Sequence, residues 1–362
     1  MMTTYILSLL LSFLLTVLFT PIVKTMALRF NVIDQPNERK VHGSPIPLMG
    51  GVAIYMSFVL SYGIVVWFTD IVATNVGYAV IMGGGLLVFI GIIDDRFGLK
   101  PRTKLIVQAA ASLVAMYFGL RIQHLSIPFL WEEPIYLGWI GVPITLFWII
   151  GLTNAVNLID GLDGLSSGVC GIAGVALFFF SLSVGNSLVA SMMLLFIGAI
   201  FGFLVFNFHP ASIFMGDSGS LFLGYALAVI TLLELKQATL LAFVIPIFML
   251  SVPVTDTLYA IVRRKINKQP LASPDKNHLH HRLLEKGHSH RRTVLIIYAI
   301  SALFASLSVL ILHVSFLTGL LLVGFYLLFF EIFAEVNGML DERHRPLSAL
   351  MNRLFKWRKG DQ

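Results

Sequence analysis

Charge is what this sequence has least of. Of its 362 residues only 12% are Asp, Glu, Lys or Arg, against 57% hydrophobic ones, whereas a soluble domain carries about a quarter charged residues. That deficit excludes an ordinary water-soluble globule. Cysteine is nearly absent too. The single Cys170 permits no intrachain disulfide and leaves the redox compartment unread. No stretch is long and polar enough to make a second soluble domain, and no internal repeat is detectable; the longest segment between apolar runs is 263–292. The first apolar run, 5–23, has no basic region before it and no A-x-A-like site before Lys24. It reads as a retained helix rather than a cleaved signal.

What is present is a series of apolar runs near the ~20 residues that cross a bilayer as helix. Eleven spans are expected, at 3–26, 48–69, 77–93, 103–120, 139–156, 165–185, 188–208, 218–235, 238–262, 293–313 and 315–335. The fold class is therefore all-α and polytopic. Residues 1–340 form the membrane domain and 341–362 a basic tail. With the N-terminus outside, 23 of the 25 Lys and Arg fall on the inner side, leaving only Arg121 and Lys236 outside. The positive-inside rule thus sets the orientation and puts the C-terminus in the cytoplasm. The same arrangement brings Asp94, Asp95, Asp160, Asp163 and Asp217 to the inner face, with Asp256 close to it.

Three other segments are plainer. Residues 121–139 mix Pro, Gly and β-formers and suggest a hairpin at the outer interface. Gly83, Gly84 and Gly85 in the third span favour close helix packing. In the tail, Leu347, Leu350, Met351, Leu354 and Phe355 recur at helical spacing opposite basic residues. A helix lying on anionic lipid and an unstructured basic tail both fit that pattern.

The chemistry sits in short polar motifs at the span ends. GIIDDRFGLKPRTK (91–104) closes the third span with adjacent carboxylates. Neighbouring aspartates repel, so they need a cation, a shared proton or solvent. A divalent metal satisfies both; so does a solvated helix end with Arg96 as partner. NAVNLIDGLDGL (154–165) is more specific. Asn154, Asn157 and Asp160 would share one face of a continuing helix. Gly161 and Gly164 then end it and let backbone approach a ligand. A helix cap explains one glycine, but not two amides and two carboxylates within ten residues.

NFHPASIFMGDSGS (207–220) leads into the eighth span. Gly216 and Gly219 flank Asp217, and the helix that follows points its positive end at the acidic cluster. Free N–H groups there favour phosphate, and Asp217 beside phosphate calls for a hard cation, Mg²⁺ or Mn²⁺. A plain capped turn is the alternative. DKNHLHHRLLEKGHSHRR (275–292) packs His278, His280, His281 and Arg282 into five residues. A grip on phosphate and sugar is the favoured reading, ahead of a zinc site built from His and carboxylate. His288 and His290 fit a solvated basic helix on the membrane surface. In NERKVHGSPIPLMGG (37–51), Arg39, Lys40 and His42 could add cations to a diphosphate site.

Taken in order, DDRFGLKPRTKL, NAVNLIDGLDGL, NFHPASIFMGDSGS and HLHHR resemble the polyprenyl-phosphate N-acetylhexosamine-1-phosphate transferases over nearly the whole chain. The resemblance implies a ten- or eleven-helix membrane enzyme that moves a sugar 1-phosphate from a UDP-sugar to undecaprenyl phosphate, releasing UMP, with Mg²⁺. HLHHR and EKGHSHRR resemble the branch using UDP-N-acetylglucosamine, which starts teichoic acid, O-antigen or related polymers. The muramoyl-pentapeptide branch is the less favoured variant. The resemblance further implies that Asp94 and Asp95 are catalytic and lie at the phosphates, with Asp94 as base, and that Asp217 and Asp95 serve the metal. Substrate binding would fall to Lys104, Asn154, Asn157, Asp160, Asp163, Asn207, Phe214 (stacking on uracil), His278, His280, His281 and Arg282. The expected partners are UDP-N-acetylglucosamine, undecaprenyl phosphate and the bilayer. A homodimer is compatible, and nucleic acid is not expected. The competing class, a transporter, needs polar groups through the membrane's depth and broken helices in paired halves; the sequence gathers its polar groups on one face.

Overall fold

The computed structural model describes residues 2–35, 45–68, 74–125, 134–234, 240–270, 275 and 277–339. Arg39, Lys40, His42, Lys236 and the tail 341–362 lie outside them.

Among the described residues the chain is a bundle of helices with two short antiparallel strand pairs. In chain order it runs α1 (Met2–Arg29), β1 (Ile33–Asp34), β2 (Ile46–Pro47), α2 (Gly50–Phe68), α3 (Asn75–Phe97), α4 (Pro101–Tyr117), β3 (His124–Leu125), β4 (Ile135–Tyr136), α5 (Gly141–Leu158), α6 (Leu165–Ser183), α7 (Ser187–Asn207), α8 (Gly216–Glu234), α9 (Leu240–Met249), α10 (Ser251–Ile266), α11 (Leu279–Glu285), α12 (His290–Leu310) and α13 (Phe316–Asn337). Among the described residues, nine helices are long and apolar enough to cross a membrane. The other two expected spans differ in form. α4 has 17 residues, the lower end of what spans a bilayer. The expected ninth span is broken at Leu250 into α9 and α10. Pro253 explains the break, since its ring would clash with the carbonyl four residues earlier, at Met249. β3 pairs antiparallel with β4, as a hairpin over 121–139 would require, though the link between them lies outside the described residues, and β1 pairs with β2.

The helix ends follow local chemistry. Thr74, Asn186, Ser289 and Ser315 each accept a hydrogen bond from a backbone N–H three residues on, which satisfies donors that a helix start leaves unpaired. Pro101 opens α4 at the position where its missing N–H costs nothing. Several span hydroxyls bond back to the preceding turn, as Ser57 does to the Ala53 carbonyl (2.7 Å), so no water is needed for those.

α8 is the axis. Its side chains are almost wholly buried, and α2, α3 and α5 pack around it. The approaches are too close for side chains: a Cβ on Gly51 would overlap the backbone of Gly219, and one on Gly91 that of Ser218. Gly83, Gly84 and Gly85 make room for Tyr225, Phe222 and Tyr55, as their spacing suggested, and the Tyr225 hydroxyl donates to the Ala79 and Ala111 carbonyls at 3.0 and 3.1 Å. α1 packs on α7 through Gly198 and Gly202. Such small-residue seams are how helices associate where lipid removes the hydrophobic drive between them. The bundle's outer face is apolar, for example Phe89, Phe147 and Leu321. Trp67, Tyr117 and Trp139 stand exposed at the helix ends opposite those of Asp94 and Asp217, where an aromatic belt belongs.

Candidate active site

Because α8 runs up the middle of the bundle, its first turn is held where the ends of α3, α5 and α7 and the starts of α4 and α12 meet. A cavity of about 430 Å³ opens there, within the range of small-molecule sites. Its wall includes Asp34, Asp94, Asp95, Asp160, Asp163, Asn207, His209, Phe214, Asp217, His281 and His290.

Lys104 is the hub of the acidic cluster. Its Nζ donates to Asp94 Oδ2 at 2.9 Å and to Asp217 Oδ2 at 2.6 Å, tying α3, α4 and α8 together. Asn157 holds the other Asp217 oxygen at 2.9 Å and also donates to Ser220 Oγ at 2.8 Å. Asp94 Oδ1 accepts from the Leu99 N–H. Arg96 is not its partner; that guanidinium lies over the Phe97 ring, 5.1 Å from the centroid.

Asp95 does something the motifs did not suggest. Its oxygens accept from the N–H groups of Asp217 (2.7 Å) and Ser218 (3.4 Å). A carboxylate from α3 thus caps α8, and a Cβ at Gly216, where φ is +71°, would collide with it. The first N–H groups of α8, expected free for phosphate, are occupied by Asp95. The helix dipole rewards that carboxylate as it would an anionic ligand.

The NAVNLIDGLDGL motif divides. α5 ends at Leu158, so Asp160 is not on its face but in the turn beyond. Asn154 faces α4 instead of the cavity, exchanging amide hydrogen bonds with Gln108 at 2.7 and 3.3 Å. Asp160 is pushed well above the usual carboxylate range, first by burial and then by the negative charges of Asp217 and Asp95. The close approach at Gly161 is made by the His280 ring. Gly164, with φ +73°, gives its N–H to Asn207 Oδ1 at 3.1 Å. Asn207 also accepts from Ser167 Oγ (2.8 Å) and donates to the Ile213 carbonyl (3.1 Å), so its amide braces two loops.

The histidine run is likewise split. His278 is buried, with Nδ1 2.7 Å from Asp256 Oδ2. His280 is buried between His278 and His281. Arg282 pairs with Glu285 at 2.9 Å, away from the cavity wall. Of the run, only His281 lines the cavity. Arg263 and Asp275 anchor the base of this loop at 2.7 Å. Burial opposes ionisation of Asp275, but the Asn277 N–H and Arg263 outweigh it and hold the carboxyl below its usual range.

Burial, then the charges of His281, His278 and His290, push the His280 imidazole well below its ordinary range. The unfolded chain therefore takes up a proton below about pH 6.5 while the folded chain does not, so stability falls as pH drops from there towards the folded value. His280→Gln should flatten that acid loss in thermal unfolding of the detergent-purified protein. An unchanged acid slope would count against the assignment.

Sequence reasoning passed over His209 and His290. His209 sits in NFHPASIFMGDSGS, where the glycines and the aspartate carry the signal. His290 was read as a solvated surface residue, yet its side chain is only 10% exposed. His209 Nδ1 lies 2.7 Å from Asp163 Oδ2, which also accepts from the Ala211 N–H at 3.0 Å.

Residues 77–234, from α3 through α8, match glycosyl transferase family 4. The chain is 41% identical over 348 residues to the probable undecaprenyl-phosphate N-acetylglucosaminyl 1-phosphate transferase of Bacillus subtilis (strain 168), covering 95% of both. The chain belongs to glycosyl transferase family 4. Two further relatives are similar to it over most of the chain. The undecaprenyl-phosphate alpha-N-acetylglucosaminyl 1-phosphate transferase of Escherichia coli (strain K12) is 31% identical over 356 residues, covering 96% of this chain and 95% of that one. The decaprenyl-phosphate N-acetylglucosaminephosphotransferase of Mycolicibacterium smegmatis is 38% identical over 305 residues, 76% of this chain and 74% of its own. The family 4 segment contains Asp94, Asp95, Lys104, Asn157, Asp160, Asp163 and Asp217, whereas the histidine run follows it. The chain is a multi-pass membrane protein of this family.

Proposed function

We propose that this chain transfers N-acetylglucosamine 1-phosphate from UDP-N-acetylglucosamine to undecaprenyl phosphate, releasing UMP. The observation that carries the reading is the Asp94–Lys104–Asp217 chain at the helix ends, in a chain whose relatives are named for this transfer. A donor soluble in water and a phosphate anchored in lipid can meet only at such an interface. The muramoyl-pentapeptide variant is not favoured, because these relatives carry N-acetylglucosamine names. A transport pathway would need charged groups through the bundle's depth, and here the cluster gathers at one end. That end also carries Arg29, Arg96, Lys100 and Arg102, which supports a cytoplasmic-facing site. The product would then be the first lipid-linked intermediate of a cell-envelope polysaccharide, wall teichoic acid or similar.

The residues present fit Mg²⁺. Asp217 and Asp95 lie close enough to Asp160 for their charges to raise its cost of ionisation, a strain that a hard cation with oxygen ligands relieves. Asp217 and Asp160 would hold it, since the Asp95 oxygens already cap α8. When bound, the ion supplies charge neutralisation for the diphosphate. Lys104 fixes Asp94 and Asp217 relative to each other. The Phe214 ring offers an apolar wall for uracil, and His281 a donor for a phosphate or sugar oxygen.

An oxygen of the lipid phosphate attacks the sugar-bearing phosphorus. The anhydride bond to UMP breaks and its electron pair leaves on UMP. The attacking phosphate has a second pKa near 6 and needs little help from a base, so positioning and charge dominate. Asp94, committed to Lys104 and Leu99, suits orientation better than covalent attack. The test is UMP release by the detergent-purified protein from UDP-N-acetylglucosamine, with and without polyprenyl phosphate. Release should require both. Equal release without lipid would overturn the transferase reading, and exchange of labelled UMP into UDP-N-acetylglucosamine by delipidated protein would overturn direct attack.

A further inference from the structure

Asp163, His209 and His290 come from three separate places, the loop after α5, the loop before α8 and the first residue of α12. Their ligand atoms all lie within 4.8 Å of one another. Two separations are specific: 2.7 Å from His209 Nδ1 to Asp163 Oδ2, and 3.9 Å from His290 Nε2 to Asp163 Oδ1. These bracket the ~3.4 Å that separates two ligands on a tetrahedral ion with bonds of about 2.1 Å.

A second observation points to a ligand. Both ring nitrogens of His290 are buried and make no hydrogen bond of ordinary geometry; the groups nearest them belong to Asp163, whose Oδ1 stands 3.9 Å from Nε2, and the side chain is only 10% exposed. Buried polar groups left unpaired are costly and rare in native proteins. The His209 ring stacks on that of His290, with centroids 4.1 Å apart and planes 18° from parallel, so it closes one side without offering His290 a hydrogen bond. All three residues line the cavity.

We infer that Asp163, His209 and His290 form a second metal site, distinct from the carboxylate cluster at Asp217 and selective for a borderline transition ion, Zn²⁺ in particular. The chemistry separates the two. Two imidazoles and one carboxylate suit Zn²⁺, whereas Mg²⁺ takes oxygen ligands and retains water. Three protein ligands leave a fourth position, which faces the cavity and takes water or an anionic oxygen. The donor set excludes Asp217, so the site stands or falls separately from the transferase reading.

The experiment is metal binding by the full-length detergent-purified protein, not activity. After chelator treatment, the protein is titrated with Zn²⁺ against a chromophoric competitor in excess Mg²⁺. One equivalent should bind, and Co²⁺ in its place should give the intense ligand-field bands of a four-coordinate site. His290→Ala and His209→Ala should each weaken binding at least tenfold, while Asp217→Asn leaves it intact. His290→Gln serves if the alanine variant fails to fold. Absence of stoichiometric binding by the unmodified protein overturns the site. So does binding that is lost in His281→Ala but kept in both His209→Ala and His290→Ala, which would place the ion in the histidine run.

Discussion

Asp217→Asn is expected to reduce turnover by at least about 10²–10³-fold, the scale on which losing one preorganised electrostatic group acts. Asp217 is pinned from two sides, by Lys104 at 2.6 Å and Asn157 at 2.9 Å. The asparagine keeps the shape but must turn its NH₂ towards one of those donors, so one bond becomes a donor–donor contact. The negative charge proposed to hold Mg²⁺ is lost at the same time. Half-saturation should therefore move to higher Mg²⁺. The remainder of α8 buries apolar surface against α2, α3 and α5 and is untouched, so the variant should still insert and elute as a single species. Normal turnover with an unchanged Mg²⁺ titration would remove Asp217 from the site.

Lys104→Met should cost turnover on the same scale, about 10²–10³-fold, but shift Mg²⁺ the other way. Methionine retains the apolar stem and removes the cation that bridges Asp94 and Asp217. Two carboxylates then face each other uncompensated, and like charges so placed resist joint ionisation. A divalent cation relieves that repulsion, so half-saturation should fall to lower Mg²⁺ even as turnover collapses. Lys104→Arg restores the charge but spreads it over a planar fork, and recovery should be partial. If Lys104→Met and Asp217→Asn shift the Mg²⁺ titration in the same direction, Lys104 is not neutralising the pair.

Much of the architecture could be read from one dimension. Hydrophobic run lengths exposed the spans because a bilayer demands about 20 apolar residues of each crossing. The break at Leu250 was missed because the apolar run continues through it; Pro253 was visible, but a single proline can either kink a span or divide it. The acidic motifs stood out because carboxylates at the ends of greasy helices need a reason. Which of those carboxylates meet could not be read. Asn154 and Asn157 differ by one helical turn, yet one turns to Gln108 and the other to Asp217.

The sequence by itself determined the solvent, the class and the motifs: a charge-poor chain must lie in lipid, and its basic residues and carboxylates must sit at span ends, since hydrocarbon charges heavily for them anywhere else. Tertiary structure alone decided the partnerships. Asp95 caps a helix more than 120 residues away in sequence, Lys104 spans two helices, and His290 stacks on His209 beside Asp163. The first two depend on how closely α8 nests among its neighbours, the third on how α12 lies against α6. The nesting of α8 is set by glycines such as Gly51, Gly91 and Gly219, whose partners lie on other helices and leave no periodic trace along the chain.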